Sequence, residues 1–183
     1  NGQDIKKIPQ KELRDKIGFV PQKAFLFSGT IEENIRYGKE DASIEEVKHA
    51  ASIAQADEFI SDMEDKYDSF VAQGGNNLSG GQKQRISIAR ALVRKPEVYV
   101  FDDSVSALDF KTDKRLRKAL KNEIKDSSAI IIAQRISTIM DANQIIVLND
   151  GKIVGIGKHK DLLENCEVYK QIADSQLSKE ELA

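Results

Sequence analysis

The chain has 183 residues, 40% of them hydrophobic and 32% charged, with a formal net charge of -2, and that length suffices for one core with room for a small subdomain. Charges of both signs are interspersed, which excludes a broad basic field for nucleic acid and leaves any phosphate contact local. A single cysteine, Cys166, excludes an internal disulfide, and no apolar run approaches the roughly 20 residues that cross a bilayer as a helix.

Asn1-Gly2-Gln3-Asp4-Ile5 opens as a turn followed by a strand-like stub. Ile17-Gly18-Phe19-Val20 predicts a short strand that Pro21 ends, because proline has no N–H to give to a ladder. Gln22 then stands at the C-terminal edge of that strand, either as plain surface or where open α/β sheets bind their ligands. Phe25-Leu26-Phe27 puts three apolar residues in a row on a loop, which suits a core role or a contact surface for a partner helix. From Asp41 to Glu64 the composition predicts helix: Ser43 and Glu46 have capping-box spacing, and Val47, Ala50, Ala51, Ala54 and Ile60 form an apolar stripe.

After the approach formed by Tyr67 to Gly75 comes Asn76-Asn77-Leu78-Ser79-Gly80-Gly81-Gln82-Lys83-Gln84-Arg85. Two glycines after a serine let a ligand come close to the backbone, and Gln82 to Val93 continues with helix formers and apolar positions at Ile86, Ala89 and Val93. A helix start carries unpaired N–H groups and the positive end of the dipole, so it favours an anion, with Ser79 as N-cap or hydroxyl donor. The plain alternative is a loop before a helix. Val98-Tyr99-Val100-Phe101 predicts a buried strand that ends in Asp102 and Asp103; adjacent carboxylates there either hold magnesium opposite bound phosphates or cap the turn Ser104 to Leu108.

Thr112 to Ile124 predicts an amphipathic helix with a basic outer face, Lys111, Lys114, Arg115, Arg117, Lys118 and Lys121, most simply a solvated one. Ala129-Ile130-Ile131-Ile132-Ala133 is a continuous β-branched run and predicts a strand buried on both faces. Gln144 to Leu148 and Lys152 to Ile156 predict a hairpin around Asn149-Asp150-Gly151, since Asp-Gly tolerates positive φ. His159 to Leu177 predicts helix, with His159 structural and Cys166 a half-buried helix residue.

On these motifs the chain resembles the nucleotide-binding domain of ABC transporters: Leu78 to Gln82 matches the LSGGQ signature and Val98 to Asp103 the Walker B strand. The resemblance implies a P-loop NTPase (RecA-like) α/β fold with a mostly parallel sheet and an inserted α-helical subdomain. The core would be 1–35 and 96–183 and the subdomain with the signature helix 36–95. It further implies ATP and Mg2+ as ligands, with Asp102 and Gln22 at the metal and Asp103, Gln134 and Gln22 around the attacking water. Ser79, Gly80, Gly81 and Gln82 would contact the nucleotide of a second nucleotide-binding domain arranged head to tail. Ser106-Ala107-Leu108-Asp109 matches the D-loop, so Asp109 would lie at the same interface. The loop at Gln22 would touch transmembrane domains, and the whole would sit at the cytoplasmic face of the cell membrane, with nucleic acid not a partner.

Four departures from the family pattern shape the expectation. Gln73-Gly74-Gly75 replaces the Glu-Arg-Gly run common in exporters. Asp103 occupies the position of the catalytic glutamate, one methylene too short for a base that needs a reach of about 2.6–3.2 Å to its water. Gln134 replaces the histidine of the H-loop; it can hydrogen-bond a phosphate but cannot carry charge or shuttle a proton. Together these two resemble a degenerate site in one subunit of a heterodimeric multidrug or lipid exporter, with an intact signature serving the partner. No Gly-x-x-x-x-Gly-Lys-Ser/Thr run occurs, so the P-loop, its strand and an adenine-stacking aromatic are expected before Asn1, and the chain alone is expected inactive. The sheet would then lack an interior strand between 129–133 and 144–148, leaving two apolar edges to be covered by another segment, a rearrangement or a neighbour. The rival from another class is a soluble ABC ATPase acting on DNA or ribosomes; Phe27-Ser28-Gly29-Thr30-Ile31 after Gln22 favours the exporter. A third is a regulatory or dimerisation fragment without catalysis.

Overall fold

Residues 2–177 are described by a computed structural model. The first residues form a single 3-10 turn, Ile5–Lys7, capped by the Asp4 carboxylate, which accepts the Lys6 N–H at 3.0 Å. Helix α1 (Gln10–Asp15) follows directly behind Pro9. The expected strand-like stub is therefore helical. The signal for α1 was a proline ahead of a run of helix-forming residues.

Strand β1 (Ile17–Val20) stops before Pro21. Two-residue strand β2 (Gly29–Thr30) leads into α2 (Ile31–Arg36), whose start is a full capping box between Thr30 and Glu33. Helix α3 (Ile44–Ile53) has the expected box between Ser43 and Glu46. The single helix anticipated from Asp41 to Glu64 is broken, however, and α4 (Asp57–Ser61) is separate. Gln55 adopts φ +58, its N–H bonds the Ser52 carbonyl at 3.0 Å and the next N–H, Ala56, reaches back to Ala51 at 2.8 Å. That is a Schellman end with glutamine in the left-handed position usually held by glycine, so composition gave no stop signal.

Strand β3 (Phe70–Val71) pairs antiparallel with β2. The next stretch turns through Gly74 (φ +71) and Gly75 (φ +67), both in the left-handed region where a side chain is strained. Helix α5 (Gly80–Leu92), strand β4 (Val98–Asp102), helix α6 (Phe110–Glu123) and strand β5 (Ser128–Ile132) complete the first compact unit, Asn1–Ile132. Its parallel sheet has the order β1-β4-β5, with Val20 opposite Phe101 and Asp102 opposite Ile132. Val20, Tyr99 and Phe101 share one apolar core with Ile86, Ile88 and Leu92 of α5 and with Leu116 of α6.

The expectation that β5 is buried on both faces fails. All five of its residues are exposed, Ile130 by 54%, Ile131 by 41% and Ile132 by 50%. Within the described residues β5 pairs with β4 alone, so its second edge carries no ladder partner.

The second unit, Ala133–Ala183, holds α7 (Ile136–Ile139), the hairpin of β6 (Ile145–Asn149) and β7 (Lys152–Gly157), and helices α8 (His159–Asn165) and α9 (Glu167–Gln176). The hairpin turns on Asp150 (φ +48) and Gly151 (φ +73), as the Asp-Gly pair predicts. One C-terminal helix was expected; extended Cys166 (φ -128, ψ 100) splits it. Cys166 is buried there, its thiol 3.8 Å from the Val154 carbonyl, with Tyr169, Leu162 and Val147 in the same small core. His159 is structural, as anticipated: its Nδ1 lies 2.7 Å from the Tyr169 hydroxyl. Among the described residues no helix is long and apolar enough to cross a membrane.

Candidate functional site

The central strand β4 ends in Asp102, half-buried at the carboxyl edge of the parallel sheet, where this class of fold places its ligand crevice. The next residue, Asp103, leaves the strand with φ +42 while its N–H still bonds the Ile132 carbonyl at 2.8 Å. Aspartate tolerates that left-handed conformation better than most residues, which is one local reason for a short acid here. The Asp103 carbonyl is capped by the Ser106 hydroxyl at 2.8 Å, and the Gln22 amide donates to the Asp103 carboxylate at 3.1 Å. So Gln22, distant in sequence from the adjacent Asp102 and Asp103, stands with them at one sheet edge.

Gln22 is set in place by a residue that motif reasoning passed over. Buried Gln84 of α5 donates from Nε2 to the Pro21 carbonyl at 3.0 Å, pinning the chain one residue ahead of Gln22. Its burial is seen only in the structure, because the carbonyl it serves lies 63 residues away in sequence.

Magnesium takes oxygen ligands and is held by one or two carboxylates together with phosphate oxygens. Asp102 and the amide oxygen of Gln22 are donors of that kind, and the buried Ser104 hydroxyl beside them has no hydrogen-bond partner among the described residues. Among those residues no group of three His, Cys, Asp or Glu could cage a metal. One carboxylate and one amide oxygen are a donor set that phosphate oxygens would complete around a divalent cation.

The second cluster is the start of α5. Ser79 accepts the Gln82 N–H on Oγ at 3.2 Å and Gln82 accepts the Ser79 N–H at 2.8 Å, a reciprocal capping box. Both Ser79 and Gly80 are exposed, and nothing lies within 4 Å of where a Cβ on Gly80 would stand. Gly81 faces inward, with the Ala107 carbonyl 3.3 Å from its missing Cβ, so the glycine-rich helix start and the Ser104–Leu108 turn are neighbours. Asp109, at the end of that turn, caps α6 by accepting the Thr112 N–H at 3.0 Å. The Thr112 side chain and N–H hold its carboxyl below the ordinary range.

Gln134 belongs to the second unit, where it is exposed and its carbonyl accepts the Gln176 amide at 2.8 Å. The three apolar loop residues divide: Leu26 is in the core, whereas Phe25 and Phe27 are exposed with their rings edge to face at 5.5 Å. Tyr37, missed as a surface residue, stacks beside Phe27 at 4.5 Å and is itself bare. Gln73 and Gly74 tie directly to this loop, the Gly74 N–H to the Leu26 carbonyl at 2.8 Å and the Ser28 N–H to the Gln73 side chain at 3.3 Å.

A parallel sheet whose central strand ends in an acidic pair, beside a glycine-rich helix start, defines a nucleotide-binding α/β protein of the P-loop NTPase fold. A family model described as ABC transporter matches residues 1–106, and the chain belongs to that family, as an ATP-binding domain. The Bacillus subtilis ABC transporter ATP-binding protein YfiB is 48% identical over 176 residues, which cover 96% of this chain and 30% of that protein. The ABC transporter B family member 1 of Dictyostelium discoideum is 40% identical over 182 residues, covering 99% of this chain and 20% of that one. The chain thus spans about a third or less of the curated relatives it matches. Among solved structures, a bacterial Atm1-family ABC exporter with ATP bound superposes with a TM-score of 0.94 at 40% identity, covering 97% of this chain and 31% of that one.

Proposed function

We propose that this chain is part of the ATP-driven motor of a membrane exporter, and that it works head to tail with a second nucleotide-binding domain. The observation that carries this is the exposed helix start at Ser79 and Gly80, a capped N-terminus with open space for an anion. Ser79, Gly80, Gly81 and Gln82 grip the triphosphate held by the partner domain, and Asp109 lies in the turn that accompanies them across the interface. The similarity to an exporter with ATP bound supports the assignment.

The chain's own acids hold nucleotide without splitting it efficiently. Asp102 and the Gln22 amide oxygen would ligate Mg2+, which neutralises phosphate charge when bound. Asp103 is short for a general base and is engaged by Gln22, and Gln134 cannot act as an imidazole does. The partner is accordingly a different half-transporter with glutamate and histidine at those two positions, and the substrate class is that of multidrug or lipid exporters. Residues 1–35 and 96–183 form the RecA-like portion and 36–95 the helical subdomain. The loop after Gln22, with Phe25, Phe27 and Tyr37 bare, is the surface on which a helix of the transmembrane domains docks, at the cytoplasmic face of the membrane.

Single-site turnover in the complete heterodimer tests the assignment. Asp103→Glu combined with Gln134→His should raise hydrolysis at this chain's own site, and unchanged turnover would refute degeneracy. Ser79→Ala should lower total ATPase although the partner's acids are intact; full activity would remove the trans role.

A further inference from the structure

The peptide that leads into Gln22 is oriented by a side chain of α5. Pro21 has its φ locked by the ring, but its ψ, which sets the plane of the Pro21–Gln22 peptide, is not. The strand ladder does not set it either: β1 ends at Val20, and among the described residues it pairs with β4 alone. The next N–H of β4, that of Asp103, goes to the Ile132 carbonyl of β5. What holds the Pro21 carbonyl is Gln84, whose Nε2 donates to it at 3.0 Å.

The packing of α5 on β1 brings that amide to the right level. A Cβ on Gly18 would stand 3.5 Å from the Ala91 carbonyl and 2.7 Å from the Pro96 ring, so the strand lies directly against the end of the helix. From Ala91 back to Gln84 is two helical turns, about 10 Å, and from Gly18 on to Pro21 is about 10 Å of strand. Helix and strand therefore run in register, and Gln84 arrives where the strand stops. It is 2% exposed, a buried amide that needs an acceptor and finds one there.

The orientation of the next side chain follows. Gln22 is exposed, and its Nε2 donates to the Asp103 carboxylate at 3.1 Å. A carboxylate only accepts, so the NH2 group faces it and the amide oxygen is left for a cation. We propose that Gln84 is a positioning residue for the metal: by fixing the Pro21–Gln22 peptide it holds the Gln22 oxygen for a divalent cation shared with Asp102 and a bound nucleotide's phosphates. This rests on the reading above that Gln22 and Asp102 serve Mg2+.

The test measures Mn2+ affinity of the full-length transporter with its partner chain, from the EPR signal of free Mn2+. AMP-PNP, which is not hydrolysed, is kept below the concentration of sites. The partner carries alanine in place of its own metal acid, so differences between variants arise at this chain's site. Gln84→Met keeps length and helix preference but has no donor, and should weaken Mn2+ binding about tenfold, the low end of what losing an outer partner costs a metal site. Gln22→Ala should weaken it to a similar extent. Adding Gln84→Met to Gln22→Ala should then change it by less than about twofold, because a residue that acts through Gln22 has nothing left to position.

A purely structural role would lower the melting temperature and either leave Mn2+ affinity at the wild-type value or weaken it equally in both backgrounds; each result overturns the proposal. Gln22→Ala without effect on Mn2+ would refute the metal reading of Gln22, and the positioning role with it. Weakening by Gln22→Ala but not by Gln84→Met would refute the positioning role alone. Should Gln84→Met fail to fold, Gln84→Asn, whose amide stops one methylene short of the Pro21 carbonyl, goes through the same cycle.

Discussion

Gln22 and Asp103, 81 residues apart, are joined by a hydrogen bond of 3.1 Å from the glutamine amide to the carboxylate. The contact exists because two neighbouring parallel strands, β1 and β4, end at the same level and Asp103 turns back with φ +42. Under the proposed function this aspartate serves as a hydrogen-bond acceptor and not as the group that takes a proton from water.

Asp103→Asn is the corresponding probe. Asparagine also tolerates positive φ and still offers an oxygen to Gln22, so stability should change by less than about 1 kcal/mol. Turnover at this chain's own site in the proposed heterodimer should stay near wild type, whereas removing a working general base costs about 100-fold or more. A fall of that size would make Asp103 the base after all.

Ser79 is a helix cap, and the proposed function adds an anion contact; substitutions separate the two. Ser79→Ala should cost about 0.5–2 kcal/mol through loss of the cap, seen as a lower melting temperature. Ser79→Asp should retain the cap and gain slightly from the helix dipole, so the melting temperature holds or rises. The same variant puts negative charge at the proposed contact with a partner's triphosphate and should lower ATPase of the proposed heterodimer as much as alanine does. Activity following stability across the pair would reduce Ser79 to a cap.

The local signals that proved legible are those whose physics is local. The capping box at Ser43, the N-cap at Ser79, the strand stop at Pro21 and the Asp150-Gly151 hairpin each depend on a few adjacent side chains, and each appears where expected. Gln55 ended a helix in a conformation that its residue type does not announce, and Cys166 split another. A run of β-branched residues states a strand but not what covers it, and β5 is the example: Ile130, Ile131 and Ile132 are exposed because coverage is a tertiary matter. At the candidate site the acids and the glycine-rich helix start were readable from their motifs. Gln84 was not, since its partner, the Pro21 carbonyl, lies 63 residues away.

The exposed isoleucines of β5 predict a contrast between neighbouring strands. Ile130→Lys should alter the stability of the chain by no more than about 1 kcal/mol, because 54% of the residue is already exposed. It should also reduce self-association of the isolated chain in sedimentation velocity, since a bare apolar edge is a pairing surface. Phe101→Ala on the adjacent strand, where the ring is buried against Tyr99, should instead cost about 3–5 kcal/mol. Equal losses at the two positions would mean that β5 is covered in solution.

Asp109 gives a pH dependence of defined sign. The Thr112 side chain and N–H lower its folded pKa below that of the unfolded chain, so deprotonation favours the folded state. The stabilisation is present above the unfolded value and is lost as pH falls through the folded one, that is, below about pH 4. Glu46 behaves likewise: Lys39 and the Ser43 N–H hold its carboxyl down, so both caps weaken in acid together. Asp109→Asn keeps a good N-cap at neutral pH but removes one titrating group. Its melting temperature should match wild type at pH 7 and decline less steeply between about pH 5 and about pH 3, the window around an ordinary aspartate. Parallel decline of the two proteins across that range would show that the Asp109–Thr112 bond contributes nothing to folding in solution.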